Sequence, residues 1–479
     1  MERLMNNPMK LKYHSLYGQL LQGRMLMNAW KQVKANKGSG GIDGVTINEY
    51  AKNEKENIFK LLDKLKTKEY RPTPVRRVYI PKKDGKKRPL GIPTLEDRIV
   101  QQALSNILMP KYEQLVFHPW SMGYRPNRGV DSALQVIIKN IEEGRNWIYD
   151  CDIKGFFDNI PHKKLMKVLN KVVADGTVLD LIWSWLKSGY MEEGKYYNTK
   201  PGTPQGGVIS PLLANIYLNE LDWELHKAKI HFVRYADDFL LFYETEEEVT
   251  RAGKIAKAVI ESLGLEVAMN KTKVVNFKDD DFDFLGFHFN HWRTSKNGRD
   301  YYSIVPTEKS IKSFKKSIKD KTQRKWTKSK EEWVKDINPI IIGKTNYYLN
   351  VHKAIKVFEE HGVQIHCSIH AMNNYLDNID KYTRQRLRMC MLHKHPTIRK
   401  AMGMKTKWNI EFFVKIGLVP SKWLFYNKLW KNYSLENYLD REMKRNKDGY
   451  KKVIKAYKEQ GKVYFTKTRL KKMDYALSR

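Results

Sequence analysis

The chain has 479 residues, enough for two to four domains, and its 41% hydrophobic content is that of a globular protein that can bury a core. Lysine and arginine number 88 against 53 acidic residues, which leaves a net charge of +35. So large a charge repels itself unless a polyanion binds, and nucleic acid is the polyanion that we expect, because neutralised phosphates release counterions. The plain alternative is a ribosome-like or merely basic soluble protein.

The cysteines and the apolar segments indicate the compartment. Cys151, Cys367 and Cys390 are far apart and form no CxxC pair, so the sequence predicts neither a disulfide framework nor a cysteine-rich zinc module. The first residues lack the apolar region of a signal peptide, and no run approaches the roughly 18 apolar residues that span a bilayer. We expect a cytoplasmic protein without a membrane partner.

The first third of the chain begins with helix and then changes to strand. Residues 9–35 have a basic helical pattern and lead into a glycine-rich loop at 38–44. Residues 75–80 predict a strand, and the Asp84-Gly85 pair that follows is typical of a hairpin turn. A helix is predicted from Thr94, where Asp97 stands three residues later as the partner in a capping box.

Strands and helices continue to alternate, so residues 70–290 are predicted to be mixed α/β. Residues 147–153 predict a strand, and Pro161 is expected to open the next helix. Ser210-Pro211 predicts an N-cap followed by proline at the first helical position. Residues 231–244 hold two strand-like runs that flank Asp237-Asp238, which favours an antiparallel hairpin. A further helix is predicted over 248–263, ended by Gly264.

Strand signals fade after about residue 303, and the rest of the chain is predicted to be mostly helical and basic. Residues 307–330 carry ten lysines and arginines against two acids. Such a run is often only a solvated face, but this one-sided excess favours contact with phosphates. The residues that we expect to bind nucleic acid there are Lys309, Lys312, Lys315, Lys316, Lys319 and Arg324. Thirteen basic residues against three acids at 443–479 predict a second such surface.

The aspartates at the ends of two apolar runs are the candidates for chemistry. Two adjacent carboxylates, Asp237 and Asp238, are costly to bury unless a cation compensates them. Asp152 ends another predicted strand, and if the two strands are neighbours three carboxylates could hold two Mg²⁺ ions roughly 3.5–4 Å apart. A plain hairpin turn is the alternative for Asp237-Asp238. A glycosidase carboxylate pair is also conceivable, although the net charge argues against a neutral sugar.

Seven segments, in family order along the chain, resemble the sequence blocks of group II intron-encoded reverse transcriptases and maturases. They are YIPKKDGKKRPLGIPTLEDRIVQQAL (79–104), SMGYRPNRGVDSAL (121–134), DCDIKGFFDNI (150–160), GTPQGGVISPLLANIYLNELD (202–222), RYADDFLLF (234–242), MNKTK (269–273) and FLGF (284–287). One four-residue motif would be weak evidence, whereas seven blocks in this order make the resemblance specific.

The resemblance implies a right-hand polymerase fold in several parts. The expected parts are an N-terminal helical extension (1–70), fingers and palm of mixed α/β structure with an antiparallel palm sheet (71–302), an α-helical thumb or maturase-like domain (303–430) and a basic nucleic-acid-binding tail (431–479). The implied activity is that of an RNA-directed DNA polymerase, a nucleotidyltransferase that uses Mg²⁺.

Matching the blocks residue by residue implies the site. The residues implied to be catalytic and to hold the metals are Asp152, Asp237 and Asp238, with help from the Ile153 carbonyl. The residues implied to contact the incoming nucleotide are Lys82, Arg88, Ile153, Phe157, Gln205 and Lys273. In this match Lys82 and Arg88 grip the triphosphate, and Phe157 lies under the sugar and excludes a 2′-hydroxyl. Without the match, Lys82 and Arg88 would be a solvated hairpin tip and Phe157 ordinary core packing.

The implied partners are dNTPs, a DNA primer or product, and an RNA template. That RNA is either a group II intron, which the protein would help to splice and mobilise, or a dedicated noncoding RNA in an antiviral defence system. A noncatalytic RNA-binding splicing factor is a third possibility, but it would have no need of three costly carboxylates. The sequence does not determine the oligomeric state.

Overall fold

The computed structural model describes residues 12–81, 87–198, 201–203, 206–292, 301–325, 327–394, 405, 407–429 and 433–444. Contacts within the chain define two compact units that divide between Phe277 and Lys278. That division lies inside the segment 71–302 that the sequence assigns to fingers and palm. Within the described ranges, no helix combines the length and the apolar character that crossing a membrane requires.

The first unit is a mixed α/β structure with two four-stranded sheets. Its helices are α1 (Leu16–Leu20), α2 (Gly23–Asn36), α3 (Ile47–Lys52), α4 (Glu54–Lys66), α5 (Leu95–Leu115), α6 (Val130–Glu142), α7 (Phe156–Asn159), α8 (His162–Asn170), α9 (Gly176–Lys187), α10 (Ser210–Lys227) and α11 (Glu246–Ser262). Its strands are β1 (Val75–Pro81), β2 (Lys87–Ile92), β3 (Trp147–Asp152), β4 (Tyr190–Glu192), β5 (Lys195–Tyr197), β6 (His231–Tyr235), β7 (Asp238–Tyr243) and β8 (Lys273–Asn276).

The two sheets of the first unit differ in strand direction. The sheet β2-β1-β4-β5 contains one parallel pair, β1 with β4. In the sheet β6-β7-β3-β8 every neighbouring pair is antiparallel, and β3 lies between β7 and β8. Ile148 of β3 and Phe239 and Leu241 of β7 are fully buried, and α11 packs against both strands. The antiparallel sheet predicted for the palm is therefore present.

Local sequence signals explain where several helices begin and end. The Thr94 hydroxyl accepts a hydrogen bond from the Asp97 N–H at 3.3 Å and so caps α5, but the predicted capping box is not formed, because the Asp97 carboxylate accepts from the Thr94 hydroxyl at 2.8 Å. Pro161 is the N-cap of α8. Ser210 is the first residue of α10 rather than its predicted N-cap, and Pro211 lies in the first turn, where a missing N–H is tolerated. Gly264, with φ of 77°, follows the end of α11 in the left-handed conformation that glycine favours.

The second unit combines a small sheet with long helices. Its strands are β9 (Phe282–Phe284), β10 (Phe287–Trp292), β11 (Tyr301–Pro306) and β12 (Cys367–Ser368), in the order β12-β11-β10-β9. Its helices are α12 (Glu308–Lys321), α13 (Lys330–Glu360), α14 (Met372–Lys394), α15 (Ile410–Lys415) and α16 (Ser421–Leu429). The helical prediction beyond residue 303 is confirmed for these segments, and β12 is a strand that it missed.

A buried histidine in the first unit creates a sensitivity to acid. His118 is 2% exposed and packs against Trp120, Trp223 and Phe232. Its Nδ1 accepts a hydrogen bond from the Trp120 N–H at 3.2 Å. Burial, and then the neighbouring His226 and three arginines, lower the pKa of His118 to about 3. His118 is therefore neutral in the folded protein over the whole physiological range.

We expect His118 to reduce stability as the pH falls. In the unfolded chain a histidine takes up a proton near roughly pH 6.5, whereas folded His118 does so only at about pH 3. The contribution of His118 to the free energy of unfolding is therefore complete above about pH 6.5 and is lost progressively below it. At pH 5 the cost relative to pH 7.5 should be about 2 kcal/mol. In His118→Asn, which keeps an acceptor for Trp120, urea unfolding should lose that part of its pH dependence. An equal slope of unfolding free energy against pH in His118→Asn and in the wild type would contradict this. His14→Asn, a substitution at an exposed position, is the matched control.

Candidate catalytic site

Three aspartates meet where two paired strands of the palm-like sheet end. Asp152 at the end of β3 and Asp238 at the start of β7 are direct partners across the antiparallel pair. Tyr235 of β6 pairs with Asp238, so Ala236 and Asp237 alone form the turn between β6 and β7. The condition set by the sequence, that the two strands be neighbours, is met, and Asp152, Asp237 and Asp238 lie together.

A cavity of about 530 Å³ opens at these strand ends, a volume suited to a nucleotide-sized ligand. The predicted site residues that line it are Arg88, Asp152, Ile153, Phe157, Asp237 and Asp238. Gly206 forms part of the wall with φ of 111°, and a Cβ there would lie 2.5 Å from the Gly91 carbonyl oxygen. Only glycine permits that close approach, which brings the segment after residue 205 against β2.

The other three predicted nucleotide contacts are not among the described residues that line the cavity. Lys82 and Gln205 lie outside the described residues. Lys273 is exposed in β8, where it pairs with Asp150 of β3, and it is not among the described residues that line the cavity.

Lys271 and Tyr124 are among the cavity residues that the sequence analysis did not predict. The Lys271 ammonium donates to Asp152 Oδ2 at 2.5 Å, and this hydrogen bond is the main cause that raises the pKa of Lys271. Its position is set by the backbone, because the Ala268 N–H donates to the Asp152 carbonyl oxygen at 2.8 Å and holds the preceding segment against β3. Since Lys271 and Lys273 are only two residues apart in MNKTK, sequence alone could not choose between them.

The carboxylates disfavour one another's charge. Burial, and then the charges of Asp237, Asp152 and Asp150, raise the pKa of Asp238 to about 7, while Lys271 opposes the rise. Burial also raises the pKa of Asp237, with Arg88 and Arg234 acting in the opposite direction. Asp238 stands at the solvent-exposed mouth of the cavity, where water screens part of this repulsion. Crowded carboxylates of this kind are compensated well by a divalent cation.

The donor set fits Mg²⁺, although its side chains are not arranged as a finished ion site. Within the described part of the chain, no three His, Cys, Asp or Glu side chains are grouped so that they could hold a metal ion. Asp152 is engaged by Lys271 instead, so an ammonium occupies a carboxylate oxygen that a metal would use. Carboxylate oxygens are the ligands that Mg²⁺ prefers, and binding would require Asp152 to exchange its partner.

The basic residues predicted to bind nucleic acid lie in the second unit. Lys309, Lys312, Lys316 and Lys319 are exposed on α12, and Arg324 is exposed just after it. Lys315 is half-buried, with its ammonium 5.6 Å from the centre of the Tyr382 ring. On the opposite side Phe314 and Ile318 are fully buried, so α12 presents one apolar and one basic face.

The chain is similar to several known proteins. The family described as reverse transcriptase (RNA-dependent DNA polymerase) matches residues 80–289. Protein YkfC of Escherichia coli is 33% identical over 341 residues, which are 63% of this chain and 89% of YkfC. The group II intron-encoded protein LtrA of Lactococcus lactis is 41% identical over 241 residues, 49% of this chain and 39% of LtrA. A solved telomerase from Candida albicans has a TM-score of 0.40 at 16% identity and covers 67% of this chain and 59% of the telomerase.

The family match and the similarity to YkfC and LtrA define the chain as a nucleic acid polymerase of the reverse transcriptase class, an RNA-directed DNA polymerase. More particularly, it belongs to the group II intron-encoded type of reverse transcriptase. The matched part is less than half of LtrA, so what LtrA does as a whole is not transferred by similarity alone.

The two neighbouring lysines provide a direct test of the cavity. Lys271→Gln should lower kcat/KM for dNTP incorporation about tenfold, because it removes a positive charge from the side of the cavity where a triphosphate would lie. Lys273→Gln, the matched control two residues away on β8, should have a clearly smaller effect. Single-nucleotide incorporation on a primed RNA template measures both. A larger loss of kcat/KM in Lys273→Gln than in Lys271→Gln would indicate that Lys273 contacts the nucleotide.

Proposed function

We propose that this chain adds dNTPs to the 3′-hydroxyl of a DNA primer on an RNA template, with two Mg²⁺ ions held by Asp152, Asp237 and Asp238 and by the Ile153 carbonyl oxygen. The observation that carries the proposal is the pairing of Asp152 with Asp238 across β3 and β7, with Asp237 in the adjoining turn. Three carboxylates at one cavity mouth repel each other, and that arrangement is useful for binding divalent cations and otherwise costly.

The remaining cavity residues have roles that follow from their charge and shape. Arg88 and Lys271 bring positive charge to the side of the cavity where a triphosphate would lie beside the carboxylates. Phe157 is half-buried against Phe156 and would limit the space beneath the sugar of a bound nucleotide. The chemistry that bound Mg²⁺ supplies here is activation of the primer hydroxyl and neutralisation of the pyrophosphate leaving group.

Substitution of the turn carboxylates tests the chemistry. Asp237→Asn with Asp238→Asn should reduce dNTP incorporation on an RNA template by about a thousandfold or more, because the charges that bind the metals are removed. The double variant should fold, since it removes like charges, and should still bind RNA. Primer extension and RNA affinity are measured on the same preparation. Undiminished extension would refute the polymerase mechanism.

We further propose that the protein assists splicing and mobility of a group II intron. The support is its similarity to LtrA, which is named as group II intron-encoded, and the row of exposed lysines on α12. Basic residues along one helical face suit the phosphates of a folded RNA. The tail predicted to bind nucleic acid from residue 431 lies mostly outside the described residues.

The RNA that co-purifies with the protein identifies this partner. Sequencing it should recover intron RNA that carries the gene itself, and removing charge with Lys312→Gln, Lys316→Gln and Lys319→Gln should reduce its recovery and weaken the salt dependence of binding. A short noncoding RNA from a neighbouring gene would instead support a role in antiviral defence. Recovery unchanged by the three substitutions would exclude α12 as the binding surface.

A further inference from the structure

Behind the catalytic turn lies an arginine that takes no part in the cavity. Arg234 of β6 is fully buried, and its guanidinium makes four hydrogen bonds. Two go to the Asp222 carboxylate, from Nε at 2.7 Å and from Nη2 at 2.6 Å. Nη1 donates to the Ala236 carbonyl oxygen at 2.8 Å and to Asn215 Oδ1 at 3.0 Å. The guanidinium therefore binds the backbone of the turn that carries Asp237.

Asn215 extends this network to the other side of the turn. Its Nδ2 donates to the Gly123 carbonyl oxygen at 2.7 Å while its Oδ1 accepts from Arg234. Gly123 is packed so closely that a Cβ there would lie 2.6 Å from the Ala236 nitrogen. Asn215 and Asp222 are seven residues apart on α10 and so lie on one helical face. Ala236 is thus enclosed between Gly123 and the guanidinium.

Ala236 adopts a conformation that alanine disfavours. Its φ is 60°, in the left-handed region where glycine is the usual residue, and it is the first of the two residues in the turn. A turn with this strain persists only when its surroundings enforce it. The fully buried ion pair between Arg234 and Asp222 is weak evidence of added stability, because apolar residues of similar volume are often as stabilising. What the ion pair adds is directed hydrogen bonding to the Ala236 carbonyl.

We propose that Arg234, fixed by Asp222 and Asn215, is a positioning residue that holds Ala236 in its left-handed conformation and thereby keeps Asp237 and Asp238 opposite Asp152. None of Arg234, Asp222 and Asn215 is among the described residues that line the cavity. Their hydrogen bonds therefore act on the reaction through the turn. The inference rests on the proposed polymerase function and adds to it the residues that set the geometry of its carboxylates.

Arg234→Lys is the first test, because lysine keeps the buried charge but cannot bind Asp222 and Ala236 together. Its kcat for primer extension should fall about 10- to 100-fold, and the Mg²⁺ concentration for half-maximal activity should rise, as for other residues that orient metal ligands. The affinity for primed template should change by less than about twofold, because the binding surface is untouched. Asn215→Leu, of similar volume, should show the same pattern.

Glycine at position 236 distinguishes positioning from simple stability. Ala236→Gly combined with Arg234→Lys should recover about tenfold or more of the lost kcat, because glycine adopts a φ of 60° without the network. If Arg234 only joined β6 to α10, glycine at position 236 would not restore kcat. Absence of recovery in the double variant would overturn the proposal.

Asp97→Asn is the control for disruption of a buried hydrogen-bond network at another place in the first unit. Asp97 is 2% exposed, accepts hydrogen bonds from Tyr70, Thr73 and Thr94, and is not among the described residues that line the cavity of the three carboxylates. Asp97→Asn should lower the melting temperature, as we also expect for Arg234→Lys. At a temperature well below unfolding, Asp97→Asn should leave kcat within about twofold of the wild-type value. A kcat loss in Asp97→Asn equal to that in Arg234→Lys would overturn positioning. A wild-type protein that never extends a primer refutes the polymerase function itself, whereas an active wild type with a fully active Arg234→Lys refutes only this inference.

Discussion

Repulsion among three carboxylates at the ends of β3 and β7 is the constraint on which the rest of the first unit depends. Positive charge reaches them from three separate elements. Arg88 comes from β2, Lys271 from the segment before β8, and Arg234 from β6 beneath the turn. Because each cation belongs to a different element, the packing of those three elements also determines the charge balance of the site.

The same repulsion explains why the carboxylates are arranged to exchange one cation for another and do not form a closed metal site. Lys271 binds Asp152, and the pKa of Asp238, about 7, is close to neutral pH. Both features lower the cost of bringing the carboxylates together before any substrate arrives. They also leave oxygens that can change partner when a stronger cation and a triphosphate enter together.

Features governed by neighbouring residues could be read from the sequence. The β6–β7 hairpin around Asp237-Asp238, the Thr94 cap of α5 and the helix that follows Pro161 all depend on residues a few positions apart. The meeting of Asp152 with Asp238 needed one assumption, that their strands be neighbours. The family resemblance supplied the grounds for that assumption, since spacing alone left a plain turn as an equal alternative.

Features governed by distant packing could not be read from the sequence. Lys271 rather than Lys273 enters the cavity because the Ala268 N–H binds the Asp152 carbonyl, a contact across more than a hundred residues of chain. Arg234 and Asp222 are twelve residues apart with no periodic pattern joining them, so each reads as an ordinary charged residue. The division between Phe277 and Lys278 likewise reflects contacts and has no marker in composition.

Helix α10 serves the cavity at two points along its length. Ser210 and Pro211 at its start line the cavity, and Asn215 and Asp222 further along brace the turn from behind. A helix rises about 1.5 Å and rotates about 100° per residue. Inserting or deleting one residue between Pro211 and Asn215 would turn both braces away from Arg234 while leaving the start of the helix in place. The number of residues in this segment is therefore fixed by the geometry of the helix.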